Sequence, residues 1–436
     1  MALLGITAAG LEAVFLAMLL LGNLKTHAVE FISLALAAGI LYLISVFLVL
    51  RLREESRGTL RLLFGLGLLF RVTLFPLYPS LSDDLLRYRW EGKAQASGVN
   101  PYRTSPGDPE ARALRDDTYP SVNGKPYTTV YGPITEMVFR AGYGIARLSP
   151  GTYGSVLLMK LPSLVFDLAT AALLVLLLRR LGLPSSRVLI YYWCPLSVIE
   201  FGASGHNDSI ALFFLVGALL ASEMGKTWSL TVLTASVLSK LFPLFLFPVL
   251  LAREFPRLLG RAMIWPVLLA GVVFFPFRDG LHNVVPGVAA YSGHWRNNDS
   301  LFGILYSLTG SLQDASFAYA AVVAGMALYL AGRRVSLVRG AYLILGTLLM
   351  FASNCFPWYF TWMLPLLAIY VNPAWLLLTV TSSLAYHVLI LYQALGLWQD
   401  SPFFQIIEYV PFYLMLAGAW LKTLPKQLDS AEGDRI

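Results

Sequence analysis

Apolar runs of roughly 20 residues recur along most of this chain, and a helix of that length just spans the hydrocarbon core of a bilayer. The first two extend from about Ala2 to Leu21 and from about Ala28 to Leu50. In lipid no water is present to satisfy backbone N–H and C=O groups, so each run must be a helix or part of a closed barrel. Barrel strands alternate in polarity from one residue to the next, and these runs do not. The expected fold class is therefore an all-α polytopic membrane protein. Composition agrees, because 57% hydrophobic and 13% charged residues override the two or three soluble domains that 436 residues would otherwise suggest.

The formal charge of +7 does not point to nucleic acid, because Lys and Arg sit mainly in short connections between apolar runs. There they set topology and meet anionic lipid headgroups. The two cysteines, Cys194 and Cys355, have neither a disulfide framework nor a zinc spacing. The N-terminal run has no basic region before it and reads as a first span rather than a signal peptide. Phosphate-binding loops, dinucleotide fingerprints, HExxH and Cys/His metal spacings are absent, which removes support for ATP, NAD or structural zinc.

Positive-inside counting starts from the arginine-rich connection at residues 51–61 and the pairs Arg179–Arg180 and Arg333–Arg334. It predicts about twelve full spans in a single domain over residues 1–436, with both termini cytoplasmic. One stretch breaks the pattern. Between Thr227 and Arg253 the chain must leave and return, yet each arm has about half the length of a span. Two short helices with Lys240 near the turn are expected, an arrangement tolerated only where it lines a cavity.

Two long connections fall on the extracytoplasmic side in this scheme, residues 79–150 and 278–300. The first opens with SDDLLRYRWEGK, read as a short helix at the membrane surface with Asp84, Arg87 and Glu91 on one face. The second carries His294, Trp295, Arg296, Asn298 and Asp299. Topology thus gathers Asp83, Asp84, Arg87, Tyr131, His206, Asn207, Asp208, Arg296, Asp299 and Tyr359 on one face, with Lys240 within reach. Ionisable groups so close to lipid are costly and call for a function.

Each has an ordinary alternative. Asp83 and Asp84 suit a helix N-cap, although one cap does not need two carboxylates. Asp208 could cap the next span, and Lys240 could snorkel. Trp358, Tyr359 and Trp362 read as an interfacial aromatic belt. His387 reads as a satisfied buried histidine, and Asp167 and Glu200 as groups paired within the bundle.

SDDLLRYRWEG with GVNPY, VYGP at Val130 to Pro133, SGHND at Ser204 to Asp208, SKLFPLFLFP at Ser239 to Pro248 and PWY at Pro357 to Tyr359 stand in an order that resembles the GT-C superfamily of membrane glycosyltransferases. More narrowly, it resembles the bacterial mannosyltransferase-like branch, related to glycosyltransferase family 87 and the GPI mannosyltransferase I catalytic subunit. The resemblance implies a GT-C fold with an extracytoplasmic active site in the bacterial inner membrane. It also implies a polyprenyl-phosphate sugar donor, inversion at the anomeric carbon, and a lipid, glycan or protein acceptor hydroxyl. An acidic residue of the first loop would act in catalysis; the residues themselves are read with Asp83 as base and Asp84 second. Lys240 and Arg296 are the candidates for holding the donor phosphate. Arg87, Tyr131, His206, Asn207, Asp208, Asp299 and Tyr359 would contact substrate. The adjacent Asp-Asp pair departs from the Asp-X-Asp of the superfamily, so a divalent metal is left open as a cofactor. A secondary transporter or lipid-linked glycan flippase is the alternative, for which charges near the midplane and an internal repeat are expected.

Overall fold

The computed structural model describes residues 2–52, 56–258, 261–287 and 296–433; His294 and Trp295 lie outside them. The described residues are almost entirely helical or in turns, and their one isolated β-bridge joins Asn297 to Asn354. The chain starts with α1 (Ala2–Leu21), α2 (Ala28–Leu50) and α3 (Arg57–Leu74), then enters the first long connection through α4 (Asp84–Ala96) and α5 (Pro133–Ala146). It continues as α6 (Thr152–Leu158) and α7 (Leu161–Arg180), followed by the single turns α8 (Leu189–Tyr192) and α9 (Pro195–Ser197). A π-helix at Val198–Ala203 leads into α10 (Asp208–Glu223), α11 (Ser229–Ser239), α12 (Phe247–Leu258) and α13 (Ile264–Phe274).

Six segments among the described residues are long and apolar enough to cross a membrane: Ala2–Leu21, Ala28–Leu50, Thr152–Arg180, Ile264–Gly287, Leu312–Gly332 and Pro373–Leu395. These helices make the chain a membrane protein, and the six described segments are half of the about twelve full spans that charge counting predicts. Proline explains much of the difference, because it lacks the amide hydrogen that continues a helix. Pro195 separates α8 from the π-helix, and Pro243 and Pro357 open 3-10 turns at Phe242–Leu246 and Pro357–Met363. Around Lys240 the outcome is the expected one. Helix α11 ends at Ser239, Lys240 is extended with φ −155° and ψ 140°, and α12 begins at Phe247.

The surface position expected for α4 needs correction. Residues Leu85 to Gly92 are all buried, because the connection after α4 folds over it and α5 packs beneath. Its charges are neutralised inside the protein. Arg87 pairs with Glu91 and donates to the carbonyls of Asn123, Gly124 and Tyr127 at 3.2, 2.8 and 2.9 Å. Arg89 donates to Asp116 at 2.9 Å and to Ser155 at 3.1 Å. A charge this buried is tolerable only when its hydrogen bonds are filled, and both guanidinium groups meet that condition. Gly92 permits the close approach, since a Cβ there would lie 2.3 Å from the Phe139 carbonyl oxygen.

Deeper in the bundle Arg71 and Asp167 form a fully buried ion pair, with Tyr191 donating to Asp167 at 2.6 Å. His387 is satisfied at both nitrogens, by the Leu384 carbonyl at 2.8 Å and the Ser401 amide at 2.7 Å. Cys194 and Cys355 are free and buried.

Candidate active site

Neither aspartate of the first connection caps a helix with its side chain. Asp83 stands at the N-cap of α4 without a side-chain bond, and the Asp84 amide donates instead to Ser82 Oγ at 3.2 Å. The two carboxylates are therefore available for other work, and their surroundings differ. Asp83 is 40% exposed with Lys25 Nζ at 3.9 Å, while Asp84 is 20% exposed and faces inward. Asp84 Oδ1 accepts from Asn123 Nδ2 at 2.6 Å, and its Oδ2 lies 3.5 Å from the Tyr88 hydroxyl and 3.7 Å from His206 Nδ1. Burial holds the Asp84 carboxyl above the usual aspartate range. The Asn123 bond and the Lys240 charge oppose that rise, while the charges of Asp208 and Asp83 add to it. Burial also raises Asp83, against Lys25 and Lys125.

The SGHND segment is brought against Asp84 by a tight turn. Gly205 has φ +72°, and a Cβ there would meet Lys160 Cγ at 2.8 Å. Lys160 Nζ donates to the carbonyls of Phe75, Leu77 and Ala203, tying the exit of α3 to the approach to His206. His206 stacks on Trp358 with ring centres 4.1 Å apart, and its Nε2 lies 3.4 Å from Glu200 Oε2. Burial pushes the imidazole well below its usual range, with Lys240 adding to the effect, so it is neutral. Asn207 is buried, and its side-chain amide has no hydrogen-bond partner among the described residues.

Two residues on, Asp208 is wholly buried and accepts at Oδ1 from Lys240 Nζ and Trp362 Nε1, both at 2.6 Å. Phe242 stacks flat on Trp362 with ring centres 4.1 Å apart. Lys240 also faces the rings of Tyr359 and Trp362 at 5.1 and 5.5 Å. The helix break at Lys240 thus aims its ammonium at this group.

Two cavities meet here. One, of about 320 Å³, is lined by Lys25, Asp83, Asp84, Asn123, Tyr386 and Trp398 among others. The second, of about 290 Å³, is lined by Tyr131, Lys240, Phe242, Tyr319, Leu348 and Trp362 among others. Asp84, Trp358 and Tyr359 belong to both walls, whereas Asp83 borders the first alone.

The structure therefore brings together Asp84, His206, Asn207, Asp208, Lys240, Tyr131 and Tyr359, with Asp83 at the edge. It does not bring Arg296 and Asp299 to either cavity; they pair with each other at 3.1 Å. Arg87 is turned to the loop carbonyls that it holds. The aromatic belt expected at Trp358 to Trp362 is instead cavity wall, since Trp358 and Trp362 are both buried and the indole of Trp362 bonds Asp208. Glu200, expected to pair within the bundle, reaches His206 and accepts from the Tyr386 hydroxyl at 2.8 Å. Asn123, which holds Asp84, carries no sequence signal of its own. Among the described residues no three His, Cys, Asp or Glu side chains converge as metal ligands would, and Asp208 Oδ1 is already taken by Lys240 and Trp362. This donor set does not fit a metal centre.

A comparison with curated proteins finds no match. Residues 1–253, more than half of the chain and including Asp83, Asp84, the SGHND turn and Lys240, match a family model described as the N-terminal domain of alpha-(1->6)-mannopyranosyltransferase. That match covers more than half of the chain and carries the conclusion: the chain belongs to this mannopyranosyltransferase family and is a membrane glycosyltransferase.

Proposed function

We propose that the chain is an inverting GT-C mannosyltransferase that moves mannose from a polyprenyl-phosphate donor to an acceptor hydroxyl on the extracytoplasmic face of a bacterial inner membrane. The observation that carries this reading is the position of Asp84 on the wall common to two cavities. A displacement needs donor and acceptor on opposite sides of the base's reach, and two adjoining cavities supply both places. The second cavity suits the donor. Its apolar side accepts prenyl carbon while Lys240 faces the phosphate, and among the described residues Lys240 is the only Lys or Arg in its lining. The first cavity, with Asp83, Asn123 and aromatic rings, suits the acceptor.

In this mechanism the acceptor O–H bond breaks as its proton passes to Asp84. A new bond forms from that oxygen to C1, and the C1–O bond to phosphate breaks with its electron pair leaving on the phosphate. Lys240 stabilises that charge. A carboxyl with a raised pKa is suited to the base role, contributing about 10² to 10⁴ in rate. An α-linked product by inversion requires a β-linked phosphosugar. This reading ranks Asp84 above Asp83, the reverse of the order expected from the sequence.

The test is transfer of labelled mannose from a polyprenyl-phosphate donor, with GDP-mannose as control, by purified wild-type, Asp84→Asn and Asp83→Asn protein. The expected result is transfer from the lipid donor alone, a loss of at least about 10² in kcat for Asp84→Asn, and a smaller loss for Asp83→Asn. Near-wild-type turnover by Asp84→Asn would overturn the base assignment.

A further inference from the structure

We infer that Glu200 serves as a proton store for the transfer reaction, filled and emptied through His206, so that Asp84 stays a carboxylate while the sugar moves. The inference rests on the transfer proposed above. Three groups stand in series. Asp84 Oδ2 lies 3.7 Å from His206 Nδ1, and His206 Nε2 lies 3.4 Å from Glu200 Oε2. Neither ring nitrogen has a hydrogen-bond partner among the described residues, so both edges of the imidazole are left to the two carboxylates. Unpartnered buried nitrogens carry a free-energy cost that a merely structural histidine avoids, as His387 does with two bonds.

The surroundings hold the series in line. Trp358 covers one face of the His206 ring, Ser163 Oγ donates to the His206 carbonyl, and the Tyr386 hydroxyl occupies Glu200 Oε1. Glu200 Oε2 is thereby left facing the ring. Separations of 3.4 and 3.7 Å close with small side-chain movements, as proton-transfer contacts do when substrate binds. Glu200 itself is fully buried and borders neither of the two substrate cavities. Burial raises its carboxyl to about 8, so the store stands empty, ready to take a proton, above that pH.

The protons balance. The acceptor's proton reaches Asp84 Oδ2 and moves to His206 Nδ1, while the proton on Nε2 moves to Glu200 Oε2. Asp84 is a carboxylate again and the imidazole is neutral in its other tautomer. After the product leaves, the same path runs backwards. Glu200 returns a proton to Nε2, Nδ1 returns one to Asp84, and Asp84 gives it to water in the first cavity. The ring is then in its starting tautomer.

The experiment measures single-turnover and steady-state transfer from polyprenyl-phosphate mannose in mixtures of H₂O and D₂O, on the alkaline side of the Glu200 value of about 8, for wild type, Glu200→Gln and His206→Phe. Glutamine keeps the acceptor for Tyr386 but cannot take a proton, and phenylalanine keeps the stack on Trp358. The expected result is a curved dependence on deuterium fraction for wild type, reporting more than one moving proton, and a linear one for both variants. The rate constant falls about 10- to 100-fold with the KM of each substrate within about twofold. A wild-type rate linear in deuterium fraction, or a Glu200→Gln rate within about twofold of wild type, overturns the store while leaving the proposed function intact. Absence of wild-type transfer from this donor overturns the proposed function and the store together.

Discussion

Lys240 Nζ lies 2.6 Å from Asp208 Oδ1, joining a helix break to a turn 32 residues earlier. The carboxylate is wholly buried, whereas the ammonium is 23% exposed toward the second cavity. The pair thus fixes a cation beside the place proposed for phosphate. Removing Lys240 alone leaves a buried carboxylate with only the Trp362 indole at that oxygen, a change that costs about 3–5 kcal/mol. Lys240→Met should therefore unfold in detergent at markedly lower temperature than wild type, and Lys240→Met/Asp208→Asn should recover most of that loss. Neither should regain mannosyl transfer, which separates a stabilising role from the charge supplied to phosphate; thermal unfolding and turnover measured on the same preparations decide it.

With Asp84 as the proposed base, Asn123 is expected to set the acid limit of activity. Its bond to Asp84 favours the ionised carboxyl, against the burial that raises the pKa. The base must be ionised, so activity is present above the raised pKa and falls as pH drops through it. Asn123→Ala removes the opposing bond, and its acid limb should move to higher pH than that of wild type. A pH profile of kcat with an unmoved or lowered limb would contradict this.

Gly132 holds the first connection against the helix break. A Cβ at this position would lie 2.0 Å from the Leu238 carbonyl oxygen and 3.0 Å from that of Ser239. Both atoms are backbone and cannot swing aside, so α5 would be pushed off the end of α11. Gly132→Ala should lower stability by about 1–3 kcal/mol and reduce transfer further by displacing Lys240. Gly144→Ala, which meets nothing within 4 Å, is the control and should behave as wild type.

Arg71 and Asp167 stabilise the bundle away from both cavities. Arg71→Leu strands a buried carboxylate and should cost about 3–5 kcal/mol in unfolding measurements. Any protein that survives should keep the wild-type KM for donor, because no cavity wall has changed.

Several of these features are legible in the sequence, and the limits are instructive. SDDLL, SGHND and the short arms around Lys240 mark a site because carboxylates, amides and an ammonium are expensive beside lipid. Arg87 carries the same signal for a different reason, since its charge is consumed in holding Asn123, Gly124 and Tyr127 over α4. Composition cannot distinguish a cation presented to substrate from one bonded to loop carbonyls. Trp362 and Glu200 fail the opposite way. An indole near an apolar run reads as a membrane belt and a lone glutamate as a bundle pair, until packing puts one on Asp208 and the other beside His206.

The sequence by itself determines that this chain is helical and lies in a membrane, because apolar runs of that length admit no other backbone solution except a barrel, which their lack of alternation excludes. It also determines that the helix around Lys240 breaks, from the shortness of its arms. Only the tertiary structure decides which aspartate faces both cavities and which arginines are spent inside the protein. Those outcomes depend on contacts between residues far apart in the chain. Asp84 meets Asn123 and His206, and Asp208 meets Lys240 and Trp362, and no local period encodes such meetings.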